Sequence, residues 1–242
     1  MAAVSGPLRI RVDAKRYPAV ADRAELPVLS RVDLSVEPGS FVVITGPSGC
    51  GKSTLLNIVA GLDDDYEGSV AFGSDSPRLS FMFQTPRLLP WRTVRQNIEL
   101  VMPDDDPSNA QRIDDMLAAV GLSGQESQYP ERLSLGMQRR AALARAFIVE
   151  PDILLMDEPF VSLDDPTAAA LRDILMGLWD KRPTTVLFVT HDRGEAIMLG
   201  TRLIRVGGQP ATVISDQQVS LSRKERGDRE AVHRMQAELF AS

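Results

Sequence analysis

Phe41-Val42-Val43-Ile44-Thr45 runs into Gly46-Pro47-Ser48-Gly49-Cys50-Gly51-Lys52-Ser53-Thr54, and Leu55, Leu56 and Val59 follow at helical spacing up to Ala60. A short β-branched run reads as a buried strand. The glycine-rich stretch matches G-x-x-x-x-G-K-[ST], the phosphate-binding loop. Glycines let successive backbone N–H groups curl around phosphate oxygens that side chains would keep away. The helix that follows aims its positive end at the same anion. Lys52 can reach the β- and γ-phosphates, and the Ser53 hydroxyl can ligate Mg²⁺. Cys50 inside the loop reads as a small filler. Gly61 is a plausible stop for the helix.

Working outward, Ile153-Leu154-Leu155-Met156 is a second buried strand, and it ends in Asp157-Glu158. A strand ending in two acids is common at any strand exit. Placed 105 residues after Lys52 in an α/β pattern, it reads as a metal and catalytic site. Asp157 would hold the Mg²⁺ shell, and Glu158 would accept the proton of the attacking water. Leu8, Ile10 and Val12 alternate as in a strand, Val28 to Val36 alternates again, and Ser69 to Phe72 and Leu79 to Gln84 are weaker strand signals. Thr185 to Thr190 is a third buried run, with helical patterns at Leu171–Leu178 before it and Glu195–Leu199 after it. Strands alternating with helices argue a parallel, helix-covered sheet. Between residues 93 and 150 the character changes. Ile113, Met116, Leu117 and Val120 share one helix face, as do Met137, Ala141, Ala144 and Ile148. This stretch reads as a helical insertion, with an acidic linker at Pro103–Pro107. Val232, Met235 and Leu239 mark an amphipathic tail.

Composition excludes several classes. The 242 residues carry 27 basic and 33 acidic side chains, a net charge of −6, which gives no broad footprint for nucleic acid. One cysteine and two histidines leave no disulfide framework and no Cys/His zinc site. Apolar runs are far shorter than the roughly 20 residues a membrane span needs, and the N-terminal MAAVSGPLRIRVDAKRY lacks a signal-peptide core. A membrane role would have to come through a partner.

Four further features make the sequence resemble the nucleotide-binding subunit of an ABC transporter, over about residues 8 to 215. Leu133-Ser134-Leu135-Gly136-Met137, 24 to 20 residues before Asp157, resembles the family signature LSGGQ. Ser134 and Gly136 match it; Leu135 replaces a glycine, and Met137 resembles the LSGGM variant of some importers. If the backbone at Leu135 had to take a positive φ, its side chain would cost on the order of 1 kcal/mol. Without the family, the segment reads as a Ser-capped helix start. Gln84 resembles the Q-loop glutamine, Ser162-Leu163-Asp164 the D-loop, and His191 the switch histidine that contacts the γ-phosphate. Tyr17 resembles the aromatic residue that stacks on adenine. The stretch Gln84-Thr85-Pro86-Arg87-Leu88-Leu89-Pro90-Trp91-Arg92-Thr93-Val94 is similar to importer subunits of the nitrate, sulfonate and taurine group. There it borders the groove that receives a short helix of the membrane subunit; Trp91, Leu88 and Leu89 could equally pack the helical insertion.

The resemblance implies a single nucleotide-binding domain, 1–242. Its expected parts are a P-loop α/β core (1–84 and 151–216) with an antiparallel β part near the N-terminus, a helical subdomain (85–150) and a C-terminal helical tail (217–242). It implies ATP and Mg²⁺ as ligands. Nucleotide contacts would come from Tyr17, Gly46 to Thr54, Ser134, Gly136 and Asp164, and metal contacts from Ser53, Gln84 and Asp157. Lys52, Gln84, Glu158 and His191 would carry catalysis. Implied partners are a transmembrane permease, a second, identical nucleotide-binding subunit and a separate substrate-binding protein, with no nucleic acid. The expected place is the cytoplasmic face of the membrane, and the expected cargo a small anion or organosulfur compound. An exporter subunit, or a weakly active or regulatory ATPase, is the alternative.

Overall fold

The computed structural model describes residues 6–19, 24–103 and 106–241, so the first five residues and parts of the 18–27 loop and of the Pro103–Pro107 linker lie outside the described residues. The chain divides into two compact units: Met1–Pro77 with Leu155–Asp157 and Thr184–Ser242, and Arg78–Leu154 with Glu158–Pro183.

In the first unit, β1 (Leu8–Tyr17), β2 (Leu26–Val36), β3 (Phe41–Thr45), helix α1 (Lys52–Val59) and β4 (Glu67–Ala71) follow one another in sequence. β1 buries Leu8, Ile10 and Val12 on one face, the period-2 pattern of a half-buried antiparallel strand. It pairs antiparallel with both β2 and β4. β3 is buried at all five positions because it lies inside the sheet. It runs parallel to β7 (Thr185–Thr190), with Thr45 opposite Thr190, and parallel to β8 (Arg202–Gly208). A buried parallel strand reads as a continuous apolar run because both its faces are covered.

The carboxyl end of β6 (Ile153–Asp157) lies beside β7, giving the order β4-β1-β2-β9-β8-β3-β7-β6, in which β9 is Ala211–Gln218. Parallel β3, β7 and β8 beside an antiparallel N-terminal part make this a mixed P-loop α/β fold. The antiparallel β8–β9 hairpin is an addition to the expected sheet. Gln218 closes β9, so the tail after 216 begins as strand. Helix α6 (Arg193–Leu199) follows β7, and a 3-10 turn (Glu225–Gly227) precedes helix α7 (Arg229–Phe240).

The second unit contains β5 (Leu79–Met82), α2 (Val94–Glu99), α3 (Asn109–Ala119), α4 (Leu135–Ile148), the first residues of β6, and α5 (Asp165–Lys181). It begins at Arg78 and takes in α5, whereas the sequence pattern suggested an insertion of 85–150. Arg78 explains the start: its backbone N–H donates to Asp152 Oδ2 (2.9 Å), and its Nη1 to Val149 O (3.1 Å). Of the faces the periodicity marked, Ile113, Leu117 and Val120 and, on α4, Ala141, Ala144 and Ile148 are buried, while Met116 and Met137 are half-buried. Among the described residues, no helix is long and apolar enough to cross a membrane.

Candidate nucleotide site

The loop 46–51 leaves the carboxyl end of β3, and His191 leaves the carboxyl end of the adjacent parallel strand β7. That edge of a parallel sheet is where ligands bind in such folds. A Cβ on Gly46 would lie 2.3 Å from Val206 O, so the neighbouring strand β8 itself demands glycine there. Gly51 has φ +104°, a backbone state that side chains disfavour. Gly51 is also the N-cap of α1, and no side chain caps that helix. The first amides of a helix have no partner within it. Those of α2, α4, α5, α6 and α7 each receive a side-chain oxygen, from Thr93, Ser134, Asp164, Asp192 and Asp228 respectively; α3 also starts without one, but behind Ser108 and not behind a glycine loop. An uncapped start after a glycine loop suits an anion.

Lys52 is 5% exposed. Its Nζ donates to Gly46 O (2.9 Å) and Pro47 O (2.8 Å), which holds the ammonium within the curve of the loop. Ser53 is exposed and Thr54 buried. Thr54 Oγ1 lies 3.2 Å from the Tyr17 hydroxyl, which ties the end of β1 to the start of α1. The Tyr17 ring stays partly exposed, with Lys15 Nζ 4.8 Å from its centroid. Lys15 is almost wholly buried, donating to Asp63 Oδ1 and Asp65 O at 2.7 Å each.

Asp157, half-buried, ends β6 in the first unit. His191 is exposed between two fixed neighbours. Thr190 Oγ1 donates to Glu195 Oε2 (2.7 Å) and accepts from the Asp192 amide (3.0 Å), and Asp192 Oδ1 accepts from the Glu195 amide (2.9 Å). Among the described residues no cluster of three or more His, Cys, Asp or Glu could hold a metal by itself. A Mg²⁺ bound through one carboxylate, one hydroxyl and substrate phosphates needs no such cluster. The donor set of Ser53 and Asp157 fits that mode.

The remaining predicted residues belong to the second unit. Gln84 is exposed just past β5. Glu158 has φ +43° and Ser162 φ +63°. Two non-glycine residues in the left-handed region within one short loop are uncommon, and such strain clusters at functional sites. Asp164 Oδ1 accepts from the Thr167 amide at 2.8 Å. These bonds to Thr167 hold the Asp164 carboxyl below its ordinary range. Ser134 Oγ accepts from the Met137 amide at 3.3 Å.

Leu135 is the first residue of α4 and 38% exposed. It has no positive φ, so the backbone cost considered for it does not arise. Gly136 is buried, and a Cβ there would lie 2.5 Å from the Thr167 methyl. Arg139 is 3% exposed and donates Nη2 to Val161 O at 3.0 Å. Burial pulls its pKa down.

Trp91 is 70% exposed, so it does not pack into the helical part; Leu88 and Leu89 are half-buried. The loop carrying them is shaped by residues the sequence reading passed over. Asn97, wholly buried, accepts from the Leu89 amide (2.7 Å) and donates to the carbonyls of Leu89 (3.2 Å), Arg92 (3.0 Å) and Thr93 (3.0 Å). Arg145 donates to Pro86 O and Arg87 O, both at 3.0 Å. An asparagine on the face that also carries buried Val94 and Ile98 was the one available signal.

The ABC transporter family matches residues 29–161. The aliphatic sulfonates import ATP-binding protein SsuB of Bacillus subtilis (strain 168) is 42% identical over 211 residues, covering 85% of this chain and 83% of that protein. SsuB 1 of Pseudomonas savastanoi pv. phaseolicola is 42% identical over 214 residues, covering 88% and 86%. Among solved structures, a dimeric ATP-binding cassette in a post-hydrolysis state with ADP and Pi superposes with a TM-score of 0.76 at 29% identity, covering 89% of this chain and all of that one. With a family match over more than half its length and relatives this similar, the chain belongs to the ABC transporter family, as an ATP-binding cassette.

Proposed function

We propose that this chain is the ATP-hydrolysing subunit of an importer for small organosulfur anions of the aliphatic sulfonate kind. The uncapped start of α1 behind a loop that encloses buried Lys52 is the observation that carries the nucleotide part. The names of the relatives, and the exposed Trp91 on a rigid loop, carry the import part.

In this reading the adenine stacks on Tyr17, and the phosphates lie against the amides of 46–54. The Ser53 hydroxyl and the Asp157 carboxylate, with Gln84, would hold Mg²⁺, which supplies charge neutralisation at the phosphates. Lys52 and the α1 N-terminus stabilise negative charge on the transferring group. Glu158 takes the proton of the attacking water, and His191 contacts the γ-phosphate. Ser134, Gly136 and Asp164 act across the interface with a second, identical cassette. The core of 1–84 and 151–216 binds the nucleotide, and 85–150 presents Trp91, Leu88 and Leu89 to the permease. A separate binding protein delivers the cargo, and the chain sits on the cytoplasmic face of the membrane through its permease.

The test is ATP turnover by the full chain, with Glu158→Gln alongside. Turnover in the wild type, and an ATP-locked dimer of Glu158→Gln on gel filtration, are the expected results. ATP bound with neither turnover nor dimer, also in Leu135→Gly, would overturn the motor reading. Cells in which the chain is deleted should lose growth on an alkanesulfonate as sulfur source; unimpaired growth would overturn the cargo.

A further inference from the structure

The segment after β9 is not needed to bind nucleotide in the reading above, yet it grips the element that follows His191 at both ends. Helix α6 has seven residues, fewer than a helix needs to hold together by itself. Its last carbonyls have no partner within the helix. Arg226, in the 3-10 turn, donates Nη1 to Ile197 O (3.0 Å), Met198 O (3.2 Å) and Gly200 O (2.7 Å). Its Nε donates to Leu221 O at 3.1 Å, which fixes the guanidinium to its own segment. A cation at a helix C-terminus also complements the helix dipole.

The other end of α6 is held by α7. The guanidinium of Arg193, the first residue of α6, lies 4.9 Å from the centroid of the Phe240 ring. Arg205 of β8 lies 5.4 Å from the same ring, and its Nη1 donates to Leu239 O at 3.4 Å. Phe240 is therefore held by a cation from α6 and another from the sheet. Ala231, Val232 and Leu239 are buried, so α7 is docked along one face.

We infer that the C-terminal tail, through Arg226 and Phe240, is a clasp that positions α6 and thereby sets the place of His191 for hydrolysis. This rests on the proposed role of His191 at the γ-phosphate. Arg226 and Phe240 are positioning residues: they act on turnover through α6 and leave the P-loop unaltered.

The test measures ATP turnover and backbone amide exchange on full-length variants. Arg226→Gln should lower kcat about five- to twentyfold with KM for ATP within about twofold, because an interaction that acts in the transition state lowers kcat and leaves binding alone. Amides of residues 191–200 should exchange about tenfold faster or more, as local opening becomes easier. Arg226→Lys should recover most of kcat, since an ammonium can still serve the end carbonyls. Phe240→Ala, which keeps the cap at the other end of α6, should show a smaller effect of the same kind. Arg234→Ala, on the exposed side of α7, should behave as wild type.

Unchanged kcat in Arg226→Gln, KM rising as kcat falls, or unaltered exchange over 191–200 would each overturn the clasp. His191→Ala separates the two possible failures. Turnover that survives His191→Ala refutes the role of His191 and the clasp with it. Turnover lost in His191→Ala but retained in Arg226→Gln refutes the clasp alone.

Discussion

Replacing Gly136 with alanine pits two known quantities against each other. Position 136 lies in the first turn of α4, where alanine is favoured over glycine by about 1 kcal/mol. The added Cβ would meet the Thr167 methyl at 2.5 Å. That methyl cannot easily swing aside, because threonine is stiff at χ1 and the Thr167 backbone is tied to Asp164 at the start of α5. Overpacking of this kind costs about 1–3 kcal/mol. The expected net effect is a loss of about 1 kcal/mol, or a fall in Tm of about 2–4 °C for a chain of this size. Thr167→Ser removes the methyl and keeps the cap geometry. Gly136→Ala with Thr167→Ser should therefore regain the helix preference of alanine, giving a coupling energy of about 2 kcal/mol in a double-mutant cycle. The assay is urea unfolding of all four proteins at one pH. Gly136→Ala as stable as wild type, or two substitutions that simply add, would refute the packing argument. If the double variant regains stability but not turnover, glycine at 136 has a second role at the nucleotide.

Tyr17→Ala should raise KM for ATP about tenfold, in line with the loss of one aromatic–base stack, whereas Tyr17→Phe, which loses only the bond to Thr54, should stay within about twofold; titration with ATP and GTP checks both. Lys15 gives a pH dependence of known sign. Burial lowers its pKa, but the hydrogen bond to Asp63 and the attraction of Asp63, Asp65 and Tyr17 outweigh this and raise it above the ordinary 10.5. A raised folded-state pKa contributes stability that is fully present below 10.5 and is lost as pH climbs through the folded value. Unfolding midpoints of the wild type should therefore fall above that pH more steeply than those of Lys15→Met.

The P-loop was legible because three independent signals coincide there: a buried parallel strand, a glycine loop and a helix start. The β8–β9 hairpin was not, and β8 shows why. Its burial alternates in pairs, Leu203-Ile204 and Val206-Gly207 against half-buried Arg202 and Arg205. That pattern fits neither a period of 2 nor one of 3.6. Helix α2 is six residues long, too short for periodicity to register, yet Thr93 and Gln96 form a capping box whose T-x-x-Q spelling was available. Arg139 and Arg226 were beyond reach: polar residues on helices and turns normally face water, and only tertiary structure shows that these two serve backbone carbonyls; for Asn97 the sole hint was its place on the face of Val94 and Ile98.

Under the proposed function, Ser134 and Asp164 would act across the interface as well as cap their helices, and their chemistry allows both. Ser134 caps α4 with a lone pair accepting from Met137; a hydroxyl still has its own proton to donate. Asp164 caps α5 through Oδ1, and a carboxylate has a second oxygen. Leu135 can replace a glycine because its position is an ordinary first helical turn without positive φ, and leucine is a good helix former. What must be kept at such a helix start is the direction of the amides and the capping oxygen, and both survive here. The side chain of Leu135 instead adds exposed apolar surface beside Ser134. A facing cassette that covered it would gain from that burial, at about 25 cal/mol per Å². In the proposed dimer, Leu135 would change the apolar lining of the interface, while the capping oxygen and the amides that would meet phosphate keep their places.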